Sequence, residues 1–96
     1  MAEIFMIMSP TTAIVAGVAS AATAIQKKPS VVQIYNSGTV PAFIAFGNSA
    51  VTTTVTGGYP IPPGITVRLE KGESEYIATI VGSTTATLYI TNGIGY

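Results

Sequence analysis

The chain has no cysteine, histidine, tryptophan or aspartate, and only eight of its 96 residues are charged. Each absence removes a kind of chemistry. Without cysteine there can be no disulfide framework of the sort that supports many small secreted domains. Without Cys, His or Asp the usual ligands of a structural metal are missing, and no cofactor is expected. Without His a serine nucleophile has no imidazole base, and neither Gly-x-Ser-x-Gly nor Gly-x-x-x-x-Gly-Lys occurs. The basic residues Lys27, Lys28, Arg68 and Lys71 are matched by Glu3, Glu70, Glu73 and Glu75. They leave no cationic footprint for nucleic acid.

Polarity comes instead from fourteen threonines and seven serines. A free soluble domain carries about 25% charged residues, so a surface this neutral has little electrostatic protection against association. Ninety-six residues make one domain with a small core. With disulfides and metals excluded, oligomerisation is the remaining common support for a core of that size. The composition points to a protein that works by assembling.

From Ser30 onward, short apolar or β-branched runs alternate with turn signals. Val31–Tyr35, Val40–Phe46, Val51–Val55, Ile65–Glu70, Tyr76–Val81 and Thr85–Thr91 are expected as strands. Val40–Phe46 is apolar on both faces, as in a strand covered on both sides. Ile65, Val67 and Leu69 are expected inward, as are Ala86, Leu88 and Ile90. Pro60-Ile61-Pro62-Pro63-Gly64 lacks three ladder donors and is expected as a loop or edge crossing. The spacing predicts an all-β fold: a small antiparallel β-sandwich, jelly-roll-like or Greek-key, of about six to eight strands with an N-terminal extension.

Residues 1–28 form that extension, an arm or first strands, and residues 29–96 the sandwich body. Ala13–Ile25 has enough alanine for a helix, but Ala21–Gln26 also suits a strand, and one or two strands plus an extended arm is the preferred reading. Pro10 and Thr11-Thr12 split the apolar N-terminus, and the later part is shorter than the roughly 20 residues that cross a bilayer. The Met-Ala-Glu start lacks the basic leader of a signal peptide. A membrane role is therefore not expected. The run Ile4-Phe5-Met6-Ile7-Met8 must be covered, either by the chain's own core or by a neighbouring subunit.

Five of the eight charges (Arg68, Glu70, Lys71, Glu73 and Glu75) fall within eight residues around an expected turn. A carboxylate pair such as Glu73 and Glu75 could serve acid–base chemistry, but a solvated hairpin tip accounts for it better. No enzymatic activity and no small-molecule substrate are expected. The tyrosines suit half-buried strands, and Tyr59, beside Gly57-Gly58 and the Pro-rich segment, is the best candidate for exposure. The candidate interface residues are Ile4, Phe5, Met6, Ile7, Tyr59 and Ile61.

Four segments carry a resemblance: Val32-Gln33-Ile34-Tyr35-Asn36-Ser37-Gly38-Thr39, Ala42-Phe43-Ile44-Ala45-Phe46-Gly47, Pro60-Ile61-Pro62-Pro63-Gly64 and Ala86-Thr87-Leu88-Tyr89-Ile90-Thr91. Over roughly residues 31–93 the chain resembles small tailed-bacteriophage virion proteins, the compact β-sandwiches that decorate or cement capsids. The charged stretch Arg68–Glu75 departs from it, since a more neutral turn would fit better. The resemblance implies a structural capsid decoration protein at the virion surface, a homo-oligomer whose partner is the major capsid protein. The alternative is a carbohydrate-binding or adhesive module of a tail or fibre.

Overall fold

A computed structural model describes residues 6–7, 11–26, 28 and 30–94. Its strands are β1 (Met6–Ile7), β2 (Thr12–Ala16), β3 (Ala21–Ala24), β4 (Val31–Asn36), β5 (Ala42–Gly47), β6 (Tyr59–Ile61), β7 (Thr66–Glu70), β8 (Tyr76–Val81) and β9 (Ala86–Ile94). No helix occurs among the described residues, and so none long and apolar enough to cross a membrane. β1 pairs with the last residues of β9 and β2 with its first five, so the two lie end to end along one edge. The first sheet therefore runs β1/β2-β9-β4-β7 and the second β3-β8-β5-β6.

Every pairing is antiparallel, and the pairs are nested: β2 with β9, β3 with β8, β4 with β7, β5 with β6. A long hairpin folded in this way, with its tip at β5–β6, winds as a jelly roll. The all-β sandwich expected from the strand spacing is the fold. Ala13–Ile25 resolves into β2 and β3 rather than a helix, and each supplies an edge strand to a different sheet. The described part of residues 1–28 thus belongs to the sandwich itself.

Strand alternation builds the core. Ile14, Val32, Ile34, Leu88 and Ile90 from the first sheet meet Ile44, Ile61, Ile77 and Val81 from the second. Ala86, Leu88 and Ile90 are buried as the alternation requires, and Val67 and Leu69 pack half-buried at the β7 edge. Ile65 is different: it is exposed, because it belongs to the turn before β7 rather than to the strand. Its N–H donates to Pro62 O at 3.3 Å and its carbonyl accepts the Asn36 N–H at 3.2 Å.

The expected strand Val51–Val55 is irregular chain. Both sides of β5 are already occupied by β8 and β6, and β-branched residues favour any half-buried extended path, not only a ladder. The segment starts at Gly47, where Val51 packs, and reaches Ser20 and Gly82 at the other end of the second sheet. It then returns to β6 by a turn in which Gly58 N–H donates to Thr54 O at 2.9 Å. It lies over the outer face of that sheet, which explains why Ala78 is fully buried although it points away from the core. β5 is covered on both sides, with Phe43 and Ala45 half-buried beneath the crossing chain. The Pro-rich segment contributes the short edge strand β6, and an edge is where Pro60 costs no ladder bond.

Candidate interaction surface

Register and short loops decide which residues share an end of the sandwich. Ala16 lies opposite Ala86, Asn36 opposite Leu88, and Tyr35 opposite Thr66. In the second sheet Ala42 lies between Val81 and Ile61. The loops 17–20, 37–41, 62–65 and 82–85 therefore gather at one end. Their sequences, Gly-Val-Ala-Ser, Ser-Gly-Thr-Val-Pro, Pro-Pro-Gly-Ile and Gly-Ser-Thr-Thr, contain no charged residue. Lys28, Lys71, Glu73 and Glu75 lie on the loops at the opposite end, where Glu70 also closes β7.

A buried amide ties the uncharged end together. Asn36 is fully buried, and its Nδ2 donates to Val40 O at 3.0 Å and to Ile61 O at 2.9 Å. Its Oδ1 accepts the Gly38 N–H at 2.8 Å, and its carbonyl accepts the Gly64 N–H at 2.7 Å. One residue thus joins three segments: 37–41, the end of β6 and the loop 62–65. Gly38 is packed so closely that a Cβ there would sit 2.7 Å from the Ala86 Cβ and 2.9 Å from its Cα. Thr84 holds φ at 57°, a left-handed conformation that a β-branched residue adopts only under constraint.

The large aliphatic side chains exposed among the described residues gather towards this end. Val15 and Val18 are 66% and 65% exposed, and Val55, beside Gly82, and Ile65 are exposed too. Next to them, on the outer face of the first sheet, Tyr35 and Tyr89 face each other across β4 and β9. Their rings stack with centroids 6.4 Å apart at 20°, and both remain about 40% exposed. Ala13 and Thr66 complete that row. In the next row Thr11 and Thr91 share a hydroxyl hydrogen bond of 2.7 Å, and Arg68 Nε donates to Gln33 Oε1 at 3.1 Å. Apart from Arg68 and Glu70 on the β7 edge, the face is neutral and rich in hydroxyls.

The charged end differs in kind. Lys28 Nζ and Glu73 Oε2 are 3.6 Å apart on exposed side chains, an ion pair screened by water. The solvated hairpin expected from the sequence needs one correction. Lys71 is only 6% exposed, and its Nζ donates to Ser74 O at 2.9 Å. Burial pushes its pKa below the ordinary 10.5, against the opposing pull of Glu73 and Glu75. An open depression of about 620 Å³ lies here, lined by Gly47, Asn48, Ser49, Glu73, Ser74, Glu75 and Tyr76. No cluster of three metal-ligating side chains occurs among the described residues.

The candidates drawn from the sequence do not form one site. Ile4 and Phe5 lie outside the described residues. Met6 and Ile7 pair through their backbones with Ile94 and Gly93 in the first sheet. Tyr59 is 51% exposed, on the edge strand of the other sheet. Ile61 is completely buried and presents no surface to another molecule, because alternation along β6 turns it into the core between Ala42 and the first sheet. The sequence reading did not place the exposed Val15, Val18, Ile65, Tyr35 and Tyr89 among the interface candidates. For Val18 and Ile65 the signal is in the loops: those at one end lack charge, while those at the other concentrate it. Comparison with protein-family models, curated proteins and solved structures finds no match.

Proposed function

We propose that this protein is a non-catalytic structural subunit that docks on a larger assembly through the neutral outer face of its first sheet. The assembly we propose is a tailed-phage capsid, with the chain as a decoration or cement protein on its surface. One observation carries the reading: the part of this face nearest the uncharged loops exposes Val15, Tyr35 and Tyr89 with no charge among them, while Arg68 and Glu70 sit at its β7 edge and Lys28, Lys71, Glu73 and Glu75 at the opposite end. The patch formed by Ala13, Val15, Tyr35, Thr87 and Tyr89 can be desolvated against another protein without burying an ion, which is costly. Tyrosine is also a residue enriched at such contacts. The capsid as the specific partner rests on the resemblance of residues 31–93 to small virion proteins.

The mechanism is mass action. A ligand that binds only the assembled shell stabilises that shell, by about 2.7 kcal/mol per site at a hundredfold excess over Kd. The test is co-sedimentation of the purified chain with expanded heads made from the major capsid protein of the same genome. Saturable binding, little weakened by salt and reduced at least tenfold by Tyr35→Ala with Tyr89→Ala, is expected. Heads that bring down none of the protein would overturn the proposal. The stacked, exposed pair Tyr35–Tyr89 gives a second reading specific support, since such rings can also stack on the apolar face of a sugar. Saturable glycan binding lost in Tyr89→Ala, with no binding to heads, would favour that adhesive module.

A further inference from the structure

We infer that the open edge of β2 takes up an extended, uncharged segment of a partner protein as an added strand. The inference rests on the reading of the first sheet as the docking side, and it adds the chemistry of what docks there. Its basis is the unequal protection of the sheet edges. The loop 17–20 joins the edge strands β2 and β3, and the loop 62–65 joins β6 and β7, so the edges lie in pairs on two sides of the sandwich. On the β6–β7 side, β6 is three residues long and contains Pro60, and β7 carries Arg68 and Glu70. Short strands, proline and charge are means by which a sheet edge is kept from pairing. On the other side, the stretch from Thr12 to Gln26 holds neither a proline nor a charged residue.

Register shows which backbone groups the β2 edge presents. The Ser37 N–H donates to Thr87 O at 3.0 Å, so Thr87 and Tyr89 turn their backbone groups towards β4, while Ala86, Leu88 and Ile90 turn theirs towards β2. Their partners Ala16, Ile14 and Thr12 complete that ladder. The N–H and carbonyl of Ala13 and Val15 are left directed away from β9, and no strand lies beyond them among the described residues. Donors and acceptors in this alternation fit one kind of occupant, another extended backbone. Side chains favour β2 over β3. A strand added beside the exposed Ala13 and Val15 continues the rows that hold Tyr89 and Thr87, and so is continuous with the docking patch. β3 turns Ala22 and Ala24 outward, by the same alternation from the Ile25 N–H bond to Glu75 O, and offers an added strand only methyl groups there. The segment is neutral because this edge holds no charge to pair with one, and an unpaired buried charge is costly.

The probe is an alternating Thr–Val heptapeptide, capped at both termini and N-methylated along one edge so that it pairs only through the other. In a magnetic resonance titration of the full chain, the Ala13 and Val15 amide signals are expected to shift saturably, with a Kd of about a millimolar or below. Their hydrogen exchange should slow at least about tenfold. The same peptide N-methylated along both edges should do neither. Ala13→Pro removes a donor that faces away from β9 and spares the ladder, so the fold tolerates it. It is expected to weaken peptide binding at least about tenfold, with the urea midpoint checking the fold, and Val15→Pro serves as a second variant by the same logic. Ala22→Pro, the equivalent change on β3, should leave binding as it is. Amides of Ala13 and Val15 that ignore the peptide, or a folded Ala13→Pro variant that binds as wild type does, would overturn the inference. So would protection of those amides that grows with protein concentration alone, which assigns the edge to a second copy. Peptide binding by a chain that fails to co-sediment with heads would remove the capsid and leave this inference standing.

Discussion

The two ends of this sandwich are held by opposite means. At the uncharged end, backbone and amide hydrogen bonds are buried around Asn36, glycine permits close approach at Gly38, and apolar side chains are left in water. At the charged end, an exposed ion pair and solvated carboxylates cover the turns. The contrast teaches where a charge-poor protein places the charge it has. A surface ion pair contributes little to stability, so Lys28 and Glu73 add little to the fold at that end. The uncharged end is tied across three segments by the hydrogen bonds of Asn36.

The largest test of this contrast is Asn36→Ala. It leaves the Ile61 carbonyl without its partner in a buried setting, and the Val40 carbonyl and Gly38 N–H without theirs in a part-buried one. At about 1–3 kcal/mol for each orphaned group, a loss of roughly 3 kcal/mol or more is expected in urea unfolding. Gly38→Ala should follow, at about 2 kcal/mol, because the new Cβ meets the backbone of Ala86 as well as its side chain. An unchanged midpoint in both variants would show that the uncharged end is not the better tied of the two. Thr84→Gly should move stability the other way. Relief of the left-handed conformation outweighs the added chain entropy, for a gain of roughly 0.5–1 kcal/mol in thermal unfolding.

Much of the fold was legible because its strands obey alternation. Ala86, Leu88 and Ile90 fill the core as their spacing demands, and the two-sided apolar run at Val40–Phe46 called for a second cover. That cover is the 48–58 segment, which was itself misread. Val51 to Val55 have strand-like residues and keep a half-buried Val51 and a buried Thr53 on one side, but the segment crosses the outer face of the second sheet instead of joining an edge. Ile61 was misplaced because Pro62, Pro63 and Gly64 mark a loop, while one strand residue earlier the chain still faces the core. The candidate surface was harder to read. It joins loops far apart in sequence, and only the jelly-roll winding shows that alternate connections meet at one end.

At the charged end the expected effects are smaller, and Lys71 is the informative case. Its folded pKa lies below 10.5 because burial disfavours the ammonium. Between those two values the unfolded chain binds more protons than the folded one, so stability rises with pH across that window and levels off above 10.5. The comparison is with Lys71→Met, which should lose this part of the slope. A Lys71→Met profile parallel to wild type would return Lys71 to the solvated surface.

The smallest expected effect is at the ion pair, and it completes the contrast. Lys28 and Glu73 are 73% and 63% exposed at 3.6 Å, so water screens their attraction and two long side chains lose freedom in making it. A double-mutant cycle of Lys28→Ala and Glu73→Gln should give a coupling under about 0.5 kcal/mol, vanishing at high salt. Set against the loss expected for Asn36→Ala, such a value means that the neutral hydrogen bonds at one end stabilise the fold more than the ion pair at the other. A coupling comparable with the Asn36 loss would reverse that assignment and make the charged end the structural one.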